Sequence, residues 1–291
     1  MNICLVQYNP FYPKMGILDA YNEVVESYHW GFAALGHQVE RRVNHVDPEA
    51  LNIVFGFQIP LQLGLIDSFP ANTIFFNMER YAGKTIVGTG AHYVASKYQI
   101  WDYSQANVDT WNQVQPKFPA YYAKTAYAPN LEKVPTGVEQ DIDVLYYGNI
   151  TPDRFDALHN IAGLRPDLTG LSVMTLCNVW GKQRDEFIAR SKVIVNFSRG
   201  NIFEIVRVAY LMANKKAVVC DFTEEIEIEP DLRNGALSFV KTADIRAACL
   251  CLVEDDARRE HYAQQGYELI RQRDIREVIT RFFSSVASTS A

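Results

Sequence analysis

Long apolar runs are missing from this 291-residue sequence, and no stretch approaches the roughly 20 apolar residues that a membrane-spanning helix needs. The first residues, Met1 to Tyr8, also lack the basic start of a signal peptide. Cysteine is scarce, with five residues, an odd number, and no C-x-x-C pair. This usage argues against a disulfide framework and predicts a cytoplasmic protein without a transmembrane segment.

Positive charge is in deficit as well. The chain carries 28 Lys and Arg against 34 Asp and Glu, which gives a net charge of −6. No global positive field is therefore expected to draw the protein onto nucleic acid or anionic lipid, although a local basic cleft stays compatible with this balance.

Several motifs with defined chemistry are also absent. The sequence contains no G-x-G-x-x-G, G-x-x-x-x-G-K-[ST] or G-x-S-x-G, which disfavours dehydrogenases, P-loop proteins and hydrolases. Its six histidines show no H-x-x-x-H spacing, so we expect no tightly bound metal. Asp141-Ile-Asp143 matches a D-x-D metal motif, but it leads directly into an apolar run and is interpreted as a strand edge.

What is present is an ordinary globular composition, 48% hydrophobic and 21% charged, arranged as short apolar runs that alternate with helix-length amphipathic stretches. This alternation predicts the α/β class, with largely parallel sheets covered by helices. Residues 115–135 lose the periodicity and collect four prolines, which predicts a linker. We therefore expect two domains, 1–135 and 136–291, the second ending in helices after Thr242.

The best-marked turn follows the apolar run that begins at Asp143. The run ends at Gly148-Asn149, Thr151 suits a helix cap, and Pro152 suits the first helical position. Such a turn directs backbone N–H groups at one point, which suits a phosphate, and Arg154 could add a charged contact. The alternative is an ordinary turn with Arg154 facing solvent.

A second strand-to-helix turn, Ser198-Arg199-Gly200-Asn201, leads into a helix that is apolar around most of its circumference. Glu204 and Arg207 are costly on such a helix unless they are paired or face a polar cleft. Two alternatives stay open: Asn201 and Glu204 could form a capping box, and Arg207 could pair with Glu204.

The run from Asp143 to Asn149, the segment Trp180-Gly-Lys-Gln-Arg184 and the run from Ile202 to Val219 together resemble the nucleotide-sugar-binding half of GT-B glycosyltransferases. The resemblance is to a bacterial group-1-like branch that includes spore-maturation glycosyltransferases. It extends to Asn77-Met-Glu79 and Ile100 to Ser104 in the first half.

This resemblance implies two Rossmann-like domains facing across a cleft, with terminal helices packing back. The donor would be a nucleoside-diphosphate sugar, of UDP or GDP type, held mainly by the C-terminal domain. Its contacts would come from the two turns and the intervening segment, namely Gly148, Asn149, Arg154, Trp180, Gly181, Ser198, Arg199, Asn201, Glu204 and Arg207. Arg207 would also be catalytic, by neutralising the leaving diphosphate.

One departure from the family concerns the helix after Asn201. Many relatives carry two glutamates flanking it, whereas Tyr210 stands where the second would align. Lys215 and Lys216 replace a small glycine before the next strand. The identity of the donor therefore does not follow from the resemblance.

In the first half, Glu79 and Asp102 come at or near the carboxyl ends of predicted strands, where one of them could take a proton from an acceptor hydroxyl. The alternative for each is a capping or loop-stabilising carboxylate. An inverting reaction needs such a base, and a retaining one does not.

The sequence therefore predicts a glycosyltransferase, hexosyl- or pentosyl-transferring, without a tightly bound metal. A non-catalytic sugar-nucleotide-binding protein and a nicotinamide-dependent oxidoreductase are the alternatives. The acceptor is open among a glycan, a protein, a lipid-linked sugar, a small metabolite and a modified nucleobase, and so is the oligomeric state.

Overall fold

A computed structural model describes residues 1–11, 16–163, 170–198 and 202–289. Within these ranges the strands are β1 Asn2–Gln7, β2 Gln38–Val43, β3 Leu51–Phe55, β4 Ile74–Asn77, β5 Gln99–Asp102, β6 Tyr121–Tyr122, β7 Ile142–Tyr147, β8 Val173–Leu176, β9 Ser191–Asn196, β10 Ala217–Asp221 and β11 Ser238–Val240. The α-helices are α1 Asn22–Ala34, α2 Gln58–Gln62, α3 Gly90–Ala95, α4 Gln105–Asn112, α5 Pro152–Ala162, α6 Gly181–Arg190, α7 Ile205–Ala213, α8 Ile245–Glu254, α9 Asp256–Arg271 and α10 Ile275–Thr289. Short 3-10 helices span Gly16–Tyr21, Ile66–Ser68, Pro129–Leu131, Pro230–Arg233 and Thr242–Asp244.

The chain divides into two compact units. Unit 1 comprises Met1–Asn130 together with Arg273–Ala291, and unit 2 comprises Leu131–Gln272. The first unit thus ends at Asn130, a few residues before the expected boundary at 135. The last helix was expected in the second domain, but α10 packs on α1 within unit 1. Its residues Ile275, Val278, Ile279 and Phe282 recur at helical spacing and are buried, which gives α10 one apolar face for this packing.

Unit 1 is built on a six-stranded parallel sheet in the order β2-β1-β3-β4-β5-β6. The predicted apolar runs form its central strands, which are buried because helices cover a parallel sheet on both faces. The linker interpretation is wrong for Tyr121–Tyr122, which pair with β5 as an edge strand.

Unit 2 is built on a five-stranded parallel sheet in the order β11-β10-β9-β7-β8. Its core joins apolar residues of the central strands to α5 and α8, with Val144, Val193, Ile161 and Cys249 fully or almost fully buried. The two parallel sheets confirm the predicted α/β fold class.

Candidate functional site

The chain reverses its direction across the sheet of unit 2 at β7 and β9. From β7 it runs through α5 outward to β8, whereas from β9 it runs through α7 to β10 on the other side. The carboxyl ends of β7 and β9 are neighbours, and an open α/β sheet binds its ligands outside such a switch point. This edge of unit 2 is the candidate site.

The turn after β7 has the predicted strand-to-helix geometry. Gly148 adopts φ +135°, a conformation that other residues rarely take, and its N–H donates to the Leu176 carbonyl at 2.9 Å. Thr151 occupies the cap position without a side-chain cap bond, and Pro152 begins α5. Asn149 is exposed, and its carbonyl accepts the Tyr146 hydroxyl at 2.8 Å.

Arg154 connects the two turns at this edge. This residue is 8% exposed, and its guanidinium donates to the Asn149 carbonyl at 3.0 Å and to the Phe197 carbonyl at 2.9 Å. The alternative of a solvent-facing arginine is therefore wrong. These contacts hold the end of β9 against the turn after β7, so Arg154 supports the backbone of the site.

Arg207 places its guanidinium against Gly148. A Cβ on this glycine would lie 3.0 Å from Arg207 Nη2, and the guanidinium lies over the rings of Tyr147 and Tyr146, at 5.2 and 5.9 Å. Its Nη1 donates to Asn196 Oδ1 at 3.4 Å. Within the described ranges Arg207 has no carboxylate partner, so the expected alternative, an ion pair with Glu204, is not formed there. Aromatic faces hold the cation in place without neutralising it.

Glu204 is the cap residue of α7 and makes no side-chain cap bond. The capping-box alternative is wrong for this residue, because it places Glu204 three residues inside the helix. The helix starts later since Ile202 still pairs in parallel with Glu227. Glu204 is half-buried and lies near enough to Tyr146 for its charge to act on the phenol.

Tyr146 is thus surrounded by three of the predicted charged residues. Burial raises the pKa of its phenol, the Arg207 and Arg154 cations lower that pKa, and the Glu204 carboxylate raises it. Tyr146 is not among the site residues predicted from the sequence. The pair of tyrosines that ends the β7 run, directly before Gly148, is the signal that could have identified it.

The remaining predicted contacts of unit 2 fall at the same edge of the sheet or outside the described residues. Trp180 is half-buried and caps α6, which follows β8, and Gly181 begins that helix at φ +56°. Ser198 follows β9, and its N–H donates to Asp221 Oδ1 at 2.7 Å. Arg199 and Asn201 lie outside the described residues.

Asp221 and Cys177 are two further residues at this edge that sequence reasoning missed. Burial raises the pKa of Asp221 despite the hydrogen bond from Ser198. The exposed Cys177 lies just beyond β8, and its Sγ contacts the Gly148 carbonyl at 3.3 Å. Cys177 directly follows β8, and Asp221 is the last residue of β10. A polar or reactive residue at the end of a short apolar strand is the pattern that could have identified both.

Tyr210 stands where the resemblance places a second glutamate, and it carries no charge there. Tyr210 is 3% exposed, and the Arg184 guanidinium lies 4.7 Å from its ring centroid. Arg184 in turn pairs with the neighbouring Asp185 at 2.8 Å, and both are buried. This part of α7 is therefore packed by an aromatic ring and an internal ion pair.

In unit 1 the two predicted acids have opposite environments. Glu79 is exposed, and its carboxylate accepts Gln58 Nε2 at 3.3 Å. Asp102 is 0% exposed and accepts four hydrogen bonds, so it has the loop-stabilising surroundings stated as its alternative. Burial raises its pKa to about 7, while the four donors lower it.

Metal ligation finds no support in the described part of the chain. No group of three or more His, Cys, Asp or Glu is arranged there to hold a metal ion. Of the D-x-D pair, Asp143 lies in β7 and bonds Lys192 Nζ at 2.8 Å, and Asp141 pairs with Arg190. The strand-edge interpretation is confirmed for these residues.

Solved structures share this architecture along nearly the whole chain. An α-glucosyltransferase in complex with UDP and a 13-mer DNA containing a HMU base matches at TM-score 0.67 and 11% identity, over 98% of each chain. HepE of Anabaena in complex with UDP-glucose matches at 0.61 and 13%, over 98% of this chain and 100% of that one. T4 phage BGT in complex with UDP and Mn²⁺ matches at 0.61 and 12%, over 98% and 99%. These matches confirm the GT-B fold.

Neither a protein-family model nor a curated protein matches the sequence. The helices of the described residues include none long and apolar enough to cross a membrane.

Proposed function

We propose that this protein transfers a sugar from a nucleoside-diphosphate sugar to an acceptor hydroxyl. The observation that carries the proposal is the Arg207 guanidinium, held by aromatic rings against Gly148 at the switch point of unit 2 and without a carboxylate partner in the described ranges. A cation so placed suits an anionic ligand. The shared fold supports the proposal, because HepE, T4 phage BGT and the α-glucosyltransferase were solved with UDP or UDP-glucose.

In this proposal the donor diphosphate binds at the turn after β7. Gly148 shapes this turn, the backbone N–H groups from Asn149 to the start of α5 face the phosphates, and Arg207 neutralises the charge that develops as the sugar–phosphate bond breaks. This neutralisation accelerates the reaction only in so far as it is stronger in the transition state than in the bound donor. Arg207 would then take the role that a tightly bound metal has elsewhere, so transfer is expected to persist in EDTA.

The other predicted contacts take their roles from the same placement. Trp180 and Gly181 border the nucleotide base, Glu204 contacts the sugar or ribose, and Ser198 contributes from the end of β9. Arg199 and Asn201 stay predicted donor contacts from the sequence alone. Arg154 acts on the donor through the backbone that it supports. A UDP-sugar is the first donor to test, with hexose before pentose.

Glu79 is the candidate base in unit 1. It would accept the proton of the acceptor hydroxyl while the hydroxyl oxygen forms its bond to the sugar and the diphosphate leaves with the electron pair. Its exposed carboxylate favours this assignment over the buried Asp102.

The test combines donor binding with turnover. UDP and UDP-sugars are expected to raise the melting temperature of the wild-type protein, since a ligand that binds only the native state stabilises it. GDP, ADP, CMP and NAD serve as comparisons. Arg207→Ala is expected to lower turnover about 100-fold, the cost typical of losing one charge stabiliser.

The matched control is Arg190→Ala, because Arg190 ends α6 and pairs with Asp141 just ahead of β7, at the amino ends of the strands. It should leave both binding and turnover near the wild-type values. Binding of a nucleotide without turnover on any acceptor would favour a binding protein, and a folded Arg207→Ala variant with normal turnover would remove Arg207 from the mechanism.

A further inference from the structure

A buried hydrogen-bond network lies at the carboxyl ends of β4 and β5 in unit 1. Asn77 ends β4 directly beside Asp102, which ends β5. The Asp102 carboxylate accepts Asn77 Nδ2 at 2.6 Å, Trp111 Nε1 at 2.8 Å, Asn107 Nδ2 at 3.0 Å and the Ser104 N–H at 3.0 Å. Asn77, Asp102 and Asn107 are all 0% exposed, so the network is closed to solvent.

The two asparagines use their remaining groups to hold the loop that follows β4. Both Nδ2 groups also donate to the Glu79 carbonyl, at 2.7 Å from Asn77 and 2.9 Å from Asn107. Asn77 Oδ1 accepts the Glu79 N–H at 3.0 Å, and Asn107 Oδ1 accepts the N–H groups of Tyr81 and Ala82, each at 2.8 Å. The backbone of residues 79–82 is thus bound by two side-chain amides.

Asp102 determines which way these amides point. The Asp102 carboxylate oxygens accept all four of their hydrogen bonds, so each asparagine turns its NH₂ group toward Asp102. That orientation leaves each Oδ1 to accept N–H groups of the loop. A buried network in which every member is satisfied is rigid, whereas one with a missing partner leaves unpaired polar groups in the interior.

The loop so held presents an exposed side chain. The Glu79 carboxylate meets Gln58 Nε2 at 3.3 Å, and the same Nε2 donates to the Tyr21 hydroxyl at 2.9 Å. A carboxylate that is exposed while its own backbone is anchored on both sides by buried groups has a restricted range of positions.

We propose that Asp102 is a positioning residue, which orients the Asn77 and Asn107 amides and through them aims the Glu79 carboxylate at the acceptor hydroxyl. The aiming role, which directs Glu79 at the acceptor, rests on the proposed function. The anchoring role, which holds the backbone of residues 79–82, rests on the contacts within unit 1 alone. It moves Asp102 from candidate base to support of the base. Proton transfer then belongs to Glu79 and never to Asp102.

A matched pair of variants separates this role from simple stabilisation. Asn107→Ala and Trp111→Phe each remove one donor to Asp102, but of these two residues only Asn107 also hydrogen-bonds the Glu79 loop. Trp111 contacts the loop through the Tyr81 ring, at 4.6 Å between centroids, and phenylalanine keeps an aromatic ring at that place. Asp102→Asn is the second, nearly isosteric variant, for use if Asn107→Ala does not fold. Donor affinity is measured in parallel with kcat.

The first readout is amide hydrogen exchange at Glu79, Tyr81 and Ala82, which needs no substrate. Exchange there is expected to accelerate in Asn107→Ala and Asp102→Asn, and to stay near wild type in Trp111→Phe. Unchanged exchange in both folded variants would overturn the anchor.

The second readout is transfer. Asn107→Ala and Asp102→Asn should lower kcat about 10- to 100-fold, the range expected when a reacting group is displaced by about 1 Å, with donor Kd unchanged. Glu79→Gln, which removes the base itself, should lower kcat at least as much, again with donor Kd unchanged. Faster exchange with normal kcat would overturn the aiming role. A wild-type protein that binds no donor would instead overturn the proposed function, and with it the aiming role. The exchange rates would still test whether the network anchors the backbone of residues 79–82.

Discussion

At the scale of single residues, Cys177 offers a chemical probe of the candidate donor site. It is exposed, whereas Cys4, Cys220 and Cys249 are buried and Cys251 is partly buried. Its Sγ lies 3.3 Å from the carbonyl of Gly148, the residue against which Arg207 packs. A ligand at this turn would therefore cover the thiol.

We expect UDP or its sugar to slow alkylation of Cys177 by N-ethylmaleimide. Only the unliganded fraction would react, so donor at ten times its Kd should slow the reaction about 10-fold. Peptide mass spectrometry measures the modification at Cys177 and at Cys251, which should alkylate at the same rate with and without donor. Equal rates at Cys177 under both conditions would place the donor elsewhere.

Individual site residues were predicted by position better than by role. The turn at Gly148 and the strand edge at Asp143 follow from local patterns, and both are confirmed. Glu204 matched a capping-box spacing, but the long-range pairing of Ile202 with Glu227 delays the helix. The burial of Asp102 is likewise determined by groups from β4 and α4, which no local pattern contains.

At the scale of elements, apolar runs predicted the central strands because both faces of those strands are buried. β2 escaped prediction since it is an edge strand of largely exposed residues, Gln38–Val43, rich in charge. The apolar face of α10 is visible in the sequence, but its packing partner is not. Helical periodicity predicts that one face of α10 is buried, but it does not predict the unit on which that face packs.

The packing of α10 on α1 leads to a stability prediction. A Cβ on Gly31 of α1 would lie 2.8 Å from Ile279 Cδ1 and 2.9 Å from Ile275 Cγ2. Gly31→Val should therefore destabilise the protein by about 2 kcal/mol through overpacking. Valine has a higher helix propensity than the glycine it replaces, so propensity cannot account for this loss, and Ala34→Val shows what a valine costs on an exposed position of the same helix. Urea unfolding of both variants measures the difference, and equal stabilities would contradict this packing.

At the scale of the whole molecule, fold and charge carry different information about the acceptor. The fold is shared at 11% to 13% identity with structures solved with UDP or UDP-glucose, one of which also contains DNA. Burial patterns preserve a fold at such distances, while the surface charge is free to change. The acceptor therefore has to be argued from the charge of this chain.

That charge predicts weak binding to nucleic acid. Unit 1 holds 11 basic and 12 acidic residues, a net −1, and unit 2 holds 17 and 22, a net −5. Non-specific DNA affinity comes from phosphate neutralisation by Lys and Arg, with Kd commonly about 10⁻⁶ to 10⁻⁴ M in basic proteins at physiological salt. We expect a labelled duplex to show no anisotropy change with about 10 μM protein at about 0.15 M salt. Binding that weakens steeply with added salt would reveal a local basic surface and restore a nucleobase acceptor, whereas its absence directs the acceptor search to glycans, proteins, lipid-linked sugars and small metabolites.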